Sequence, residues 1–196
     1  MDLDDTLVYG NTGVAFVMRV LYYGIKGGLP RSFYFRALLY FWALPLYFFR
    51  FLRPVYMFLQ RLSSGLFYEL ERSWSETLVK KALRSTLQCV KIPQSSKEFV
   101  RKLKQRGYRV VIVSASPQVV VDALLPYIGA DEGYGISSRW GLIFDAEGKE
   151  QLLRQVLGVE QVDLMVGNPG REPFWMAKEA IVVRSPKELN SWLPKL

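Results

Sequence analysis

The sequence predicts an α/β protein: a doubly wound parallel sheet, interrupted near its beginning by a long segment of different composition. Three observations carry this reading. From about residue 93 onward, short apolar runs alternate with helical patterns of about a dozen residues, the order that builds parallel sheets with helices on both faces. The run "YRVVIVSAS" (108–116) is continuously apolar, as strands covered on both faces are. The segment that interrupts this order has a charge balance and an aromatic content that the rest of the chain lacks. At 196 residues, half of them hydrophobic, the chain suits one domain with an inserted subdomain and can bury a sizeable core.

The first element is "MDLDDTL", which packs Asp2, Asp4 and Asp5 into four residues. Like charges this close repel unless something positive sits among them, and a divalent cation or the partners of a bound phosphate would resolve the conflict. The chain contains no histidine. That excludes Ser-His and Cys-His nucleophile pairs and imidazole metal sites, so acid-base work falls to carboxylates, Lys or Tyr. The single cysteine, Cys89, cannot form an internal disulfide, fits a reducing compartment, and is expected to be a buried structural thiol.

The second element is the interrupting segment. Between Thr6 and Tyr68 there is no Asp or Glu, whereas Arg19, Lys26, Arg31, Arg36, Arg50, Arg53 and Arg61 contribute seven positive charges; the formal net charge of the whole chain is +8. The same stretch holds 18 of the 28 aromatic residues, most of them in "FYFRALLYFWALPLYFFRFLRPVYMF" (33–58). A soluble amphipathic helix would show a recurring polar face, and here only Arg36, Arg50 and Arg53 interrupt the apolar run. A membrane span needs about 20 uninterrupted apolar residues. The longest such run, 37–49, has 13 and includes Pro45. The segment therefore reads as one seated in a membrane interface, with Arg side chains reaching anionic headgroups and Tyr and Trp rings at the boundary. A soluble lid, an oligomer interface and a true span are the alternatives. The acidic N-terminus gives no support for a signal peptide. Interleaving of the cations with bulky aliphatics, rather than clustering in polar stretches, argues against nucleic acid. The expected location is cytoplasmic, peripheral on the cytoplasmic face of a membrane.

The remaining elements follow in order. "SSKEFVRKLKQRG" (95–107) places Phe99, Val100 and Leu103 on one helical face and stops at Gly107. The strand 108–116 comes next, with Ser114 expected at its end. "PQVVVDALLPYIG" is a helix begun by Pro117. Then come the short "GYGISS" (133–138), the helix "GKEQLLRQVLG" (148–158) opened by Lys149, and the strands "VDLMVG" (162–167) and "EAIVVRSP" (179–186).

In doubly wound sheets, chemistry gathers at the carboxyl ends of the strands. Four features line up there: the D-x-D-x-T of "DLDDT", Ser114, Lys149, and "GNPGRE" after "VDLMV". Their order resembles the haloacid dehalogenase superfamily of phosphatases, across the chain outside residues 11–92. Within it the sequence is similar to the phosphoserine-phosphatase-like branch, whose helical cap is inserted soon after the first motif. The resemblance implies a Rossmannoid core of residues 1–10 and 93–196 and a helical cap of residues 11–92. "VSASP", the 149–158 spacing and "PFWMAKEAIVV" are also similar to the phosphatase-like domain of land-plant glycerol-3-phosphate acyltransferases.

The resemblance further implies that Asp2 attacks phosphorus to form an aspartyl-phosphate, while Asp4 protonates the leaving oxygen and then activates water. It implies Mg2+ held by Asp2, the Asp4 carbonyl and the last loop through Asn168 and Glu172. Ser114 and Lys149 would hold phosphate oxygens, Thr6 would support the turn, and Asp5 would face solvent. Two departures stand out. The usual loop begins Gly-Asp, whereas here Asn168 follows Gly167 and offers a neutral oxygen that should weaken the hold on Mg2+. Only Met1 precedes Asp2, so the residues of the strand expected to carry the nucleophile are missing: the start lies too far downstream, the chain is a fragment, or the core lacks its central strand. The expected function is a Mg2+-dependent phosphomonoesterase acting on a membrane lipid phosphate. The alternatives are a catalytically impaired relative that binds a membrane or partner, and a soluble small-metabolite phosphatase.

Overall fold

Two parallel strand pairs form the frame. In a computed structural model of the chain, which describes residues 1–25, 31–43, 55, 58–59, 76–137, 139, 143 and 145–195, β1 (Val111–Pro117) pairs with β2 (Glu132–Ile136), and β3 (Val162–Gly167) pairs with β4 (Ala177–Val182). Both pairings are parallel. The first two residues join the pairs. Met1 donates its ammonium to the Val111 carbonyl at 2.7 Å and accepts from the Val113 N–H at 2.8 Å, while the Asp2 N–H donates to the Val166 carbonyl at 2.9 Å. The frame is thus β2-β1-(1–2)-β3-β4, and the short bridge delivers Asp2 to the carboxyl ends of β1 and β3. Between the edges of β1 and β3 lies a cavity of about 530 Å3, lined among others by Met1, Leu103, Val111, Val113, Leu153 and Leu164.

The helices described are α1 (Thr12–Ile25), α2 (Arg31–Ala43), α3 (Glu76–Cys89), α4 (Gln94–Gln105), α5 (Gln118–Ile128) and α6 (Ala146–Gln155), of which α1 and α5 pack on the strands. The amphipathic pattern of α4 buries Phe99, Val100 and Leu103 together with Ser96, and Gly107, at a φ of 85°, ends it as expected. Helix α5 buries Val120, Val121, Leu124 and Ile128. It starts one residue later than the sequence suggests, with Pro117 as its N-cap rather than its first turn. Helix α6 is started by Asp145, whose carboxylate accepts from the Gly148 N–H at 2.9 Å; Lys149 therefore sits at the end of the first turn, not at the start.

Helix α1 packs its Phe16, Val17 and Val20 face inward and lies against α3; Arg19 Nε donates to Ser85 Oγ at 3.1 Å. Cys89 is exposed rather than buried. It is the last residue of α3. Much of the aromatic and basic segment, including Arg50, Arg53 and Arg61, lies outside the described residues, as does Lys26. Among the described residues, no helix is long and apolar enough to cross a membrane.

Candidate active site

Asp2 and Asp4 are both buried, as are Thr6, Ser114, Lys149 and Glu172. The turn 3–8 builds this end: the N–H groups of Leu7 and Val8 both donate to the Leu3 carbonyl, so the chain reverses immediately after Asp2. Asp5 sits at a φ of 54°, a left-handed conformation that Asp tolerates, and its exposed carboxylate accepts from the Gly10 N–H at 2.9 Å. That rotation sends Asp5 outward and leaves Asp2 and Asp4 pointing into the protein. Thr6 Oγ1 is buried with no hydrogen-bond partner among the described residues, so backbone bonds rather than this hydroxyl support the turn there.

Two networks organise the carboxylates. Lys149 Nζ donates to Asp2 Oδ1 at 2.9 Å and also pairs with Glu172 Oε1, so one ammonium joins the two acids. Burial alone would lower its proton affinity, but the Asp2 and Glu172 charges outweigh burial and hold Lys149 above the usual lysine range. Glu172 is pushed up to about 7 by burial and by the Asp2 charge, against the opposing pull of Lys149. Its side chain passes close over Gly167, which lacks a Cβ. A Cβ there would lie 2.3 Å from Glu172 Cγ and 3.3 Å from Asp2 Cβ.

Asp4 belongs to a hydroxyl network. Thr12 donates to Asp4 Oδ1 from its backbone N–H at 2.9 Å and its Oγ1 at 2.7 Å, and Ser116 Oγ donates to Asp4 Oδ2 at 2.8 Å. The two hydroxyls lie 2.7 Å apart. Burial raises the Asp4 carboxyl to about 6, even though the Thr12 and Ser116 hydrogen bonds act in the opposite direction. An acid in that range can both donate and accept a proton near neutral pH.

Sequence reasoning missed Thr12 and Ser116. Ser114 is not at the end of its strand: β1 continues to Pro117, with a register irregularity between Val113 and Pro117, and Ser114 Oγ accepts the Ser116 N–H at 3.1 Å. The Ser-x-Ser alternation, which places both side chains on one strand face, was the available signal.

Asn168 is the residue whose chemistry differs most from expectation. Its Nδ2 donates to the Asp4 backbone carbonyl at 2.9 Å, so it presents a donor, not an oxygen, at the atom expected to ligate metal. The donor set of Asp2, Glu172 and the Asp4 carbonyl suits Mg2+ in kind, since all are hard oxygens. As arranged, however, Lys149 engages both carboxylates and Asn168 engages the carbonyl. Among the described residues, no group of three or more His, Cys, Asp or Glu is placed to hold a metal ion.

Comparison with known proteins agrees with this architecture. No curated protein matches the sequence. A phosphoserine phosphatase in apo form aligns with a TM-score of 0.52 at 16% identity, covering 97% of this chain and 96% of that one. A phospho-aspartyl intermediate analogue of phosphoserine phosphatase aligns at 0.48 with 17% identity, over 97% and 95%. At these identities the first of them speaks for the fold, an α/β core with parallel strands and helices, and for nothing finer. The family model of the haloacid dehalogenase-like hydrolases matches residues 1–160, from the first aspartate pair through Lys149, and the chain belongs to that family.

Proposed function

We propose that the protein is a phosphomonoesterase that works through an aspartyl-phosphate on Asp2 and takes a phosphorylated lipid at an anionic membrane surface. The observation that carries the catalytic part is the separation of the two carboxylates: Asp2 is paired with a buried cation, and Asp4 is held apart among hydroxyls with its carboxyl near 6. A carboxylate beside Lys149 is suited to nucleophilic attack, and an acid near neutrality is suited to proton transfer. In the first step an Asp2 oxygen forms a bond to phosphorus, the bond to the leaving oxygen breaks, and Asp4 gives that oxygen its proton. In the second, ionised Asp4 takes a proton from water, whose oxygen attacks phosphorus; the bond to Asp2 breaks and inorganic phosphate leaves. Lys149 steadies the charge on the transferring oxygens as a point cation. Mg2+, held by Asp2, the Asp4 carbonyl and Glu172, would supply further positive charge against those oxygens.

The lipid part rests on the cap. A segment with seven cations, no acid and 18 aromatics, inserted directly after the catalytic turn, suits a substrate presented at a membrane, such as a lysophosphatidate. With MgCl2 the protein should release phosphate from an aryl phosphate, and Asp2→Asn should lower the rate at least about a thousandfold with an unchanged circular dichroism spectrum. Retained activity in that variant overturns the mechanism. A higher kcat/KM for phosphoserine or glycerol phosphate than for lysophosphatidate would move the substrate to soluble metabolites. The Asn168 contact favours a second reading, a catalytically impaired membrane- or partner-binding relative; that reading stands if the folded wild type hydrolyses neither substrate class.

A further inference from the structure

The turn that follows β3 is built to fix one side chain. Asn168 C=O accepts the Arg171 N–H at 3.4 Å across Pro169 and Gly170, and Gly170 has a φ of 78°. Pro at the second and Gly at the third position are the residues a tight type II turn requires, so the loop is stiff at the place where it meets the catalytic turn. From that platform the Asn168 amide donates to the Asp4 carbonyl at 2.9 Å. A carbonyl can only accept, so the amide must present its nitrogen there, and its oxygen points elsewhere.

We propose that Asn168 is a built-in substitute for the cation at the Asp4 carbonyl, so that a divalent ion loads the site by displacing the Asn168 amide and not by using it as a ligand. The inference rests on reading the site as a cation-assisted phosphatase. It follows from the competition between two electropositive partners for the same carbonyl: an N–H already in place, or a metal ion that needs the same lone pairs. The amide makes the cation-free protein self-sufficient at this atom, and the ion gains that carbonyl only by giving up one hydrogen bond's worth of stability. A family member with a carboxylate at this position would behave in the opposite way, because two oxygens facing each other repel until a cation lies between them.

The two roles for Asn168 give opposite outcomes in a binding measurement that needs no substrate. Calorimetric titration with MgCl2, and in parallel MnCl2, should show Asn168→Ala binding about three- to tenfold more tightly than wild type, because the competitor has been removed. A several-fold weaker affinity in Asn168→Ala would make the amide oxygen a ligand and overturn the proposal. Thermal unfolding supplies the second readout. Without divalent ions, Asn168→Ala should melt a few degrees below wild type; at saturating Mg2+ the two should coincide within about 1 °C, since the wild type has then surrendered the same bond. An equal gap with and without Mg2+ also overturns it. Asn168→Asp should have the lowest cation-free Tm and the tightest binding, and an affinity unchanged from wild type would mean the loop lies away from the ion. Tighter binding by Asn168→Ala in a protein that hydrolyses no phosphate ester supports this proposal while removing the catalytic reading, so the two fail separately.

Discussion

Asp4 is held at three of its atoms, and each hold comes from a different part of the chain: Thr12 at Oδ1, Ser116 at Oδ2 and Asn168 at the backbone carbonyl. The first two stabilise the ionised form and so pull its proton affinity down, against a burial cost that dominates. Removing one of them therefore has a signed consequence. Ser116→Ala should raise the Asp4 carboxyl further, moving both limbs of the kcat–pH profile to higher pH and lowering kcat about tenfold, while KM changes little. A profile that keeps its limbs would show that Asp4 does not carry the proton. The residues that sequence alone marked, Asp2, Asp4, Ser114, Lys149 and Glu172, are all buried at this end of the sheet, because charged and hydroxyl groups at strand ends are conspicuous against an apolar background. Thr12 and Ser116 were not legible. Their contact spans 104 residues of chain and depends on how the start of α1 lies against β1, which spacing does not encode. Asn168 was legible as a departure but not in its polarity, which its acceptor neighbour decides.

At the level of elements, the helices were readable where a single apolar face repeats, as in α4, and β1 and β3 were readable as continuous apolar runs. Strand β2 is the instructive case, since "EGYGI" has two glycines and a poor strand propensity. It is a strand because those glycines admit its neighbours. A Cβ on Gly133 would fall 2.5 Å from Val121 Cγ1, and one on Gly135 would fall 2.5 Å from the Ser116 carbonyl oxygen and 2.8 Å from the Gln118 backbone. Helix α5 and the end of β1 thus press directly on the β2 backbone, a packing requirement that no local pattern reveals. At Gly133 the neighbours are side-chain tips that can shift, whereas at Gly135 they are backbone. Gly135→Ala should destabilise the fold by about 2–4 kcal/mol, read as a lower midpoint in urea at constant slope, and Gly133→Ala by less. Equal effects at both positions would show that the backbone contact is not the limiting one. Because Ser116 is the residue pressed by Gly135, the same substitution should also disturb the hold on Asp4.

Over the whole molecule, charge and apolar exposure are distributed unevenly in a way that the α/β core does not need. The chain outside residues 7–67 is nearly neutral, so seven of the eight excess positive charges reside in that segment. On α2 the side chains of Phe35, Leu38 and Trp42 are 63%, 57% and 73% exposed, and their spacing of three and four places them on one helical stripe beginning at exposed Arg31. Large apolar groups in a row, rather than scattered, mark an interaction surface, and cations without acids nearby select an anionic one. Each basic residue near such a surface contributes about 1 kcal/mol that salt weakens, whereas inserted aromatic rings add an attraction that salt leaves in place. The protein should therefore co-sediment with vesicles containing anionic lipid, bind neutral vesicles less, and stay partly bound at high salt. Trp42→Ala with Leu38→Ala should remove the salt-resistant fraction. Arg50→Glu with Arg53→Glu, at positions outside the described residues, should remove most of the salt-sensitive one. Hydrolysis of a soluble aryl phosphate should persist in these variants while turnover of vesicle-borne lysophosphatidate falls with binding. Wild-type protein that stays in the supernatant at every vesicle composition would make the stripe an ordinary lid or protein contact, and the lipid substrate would lose its main support.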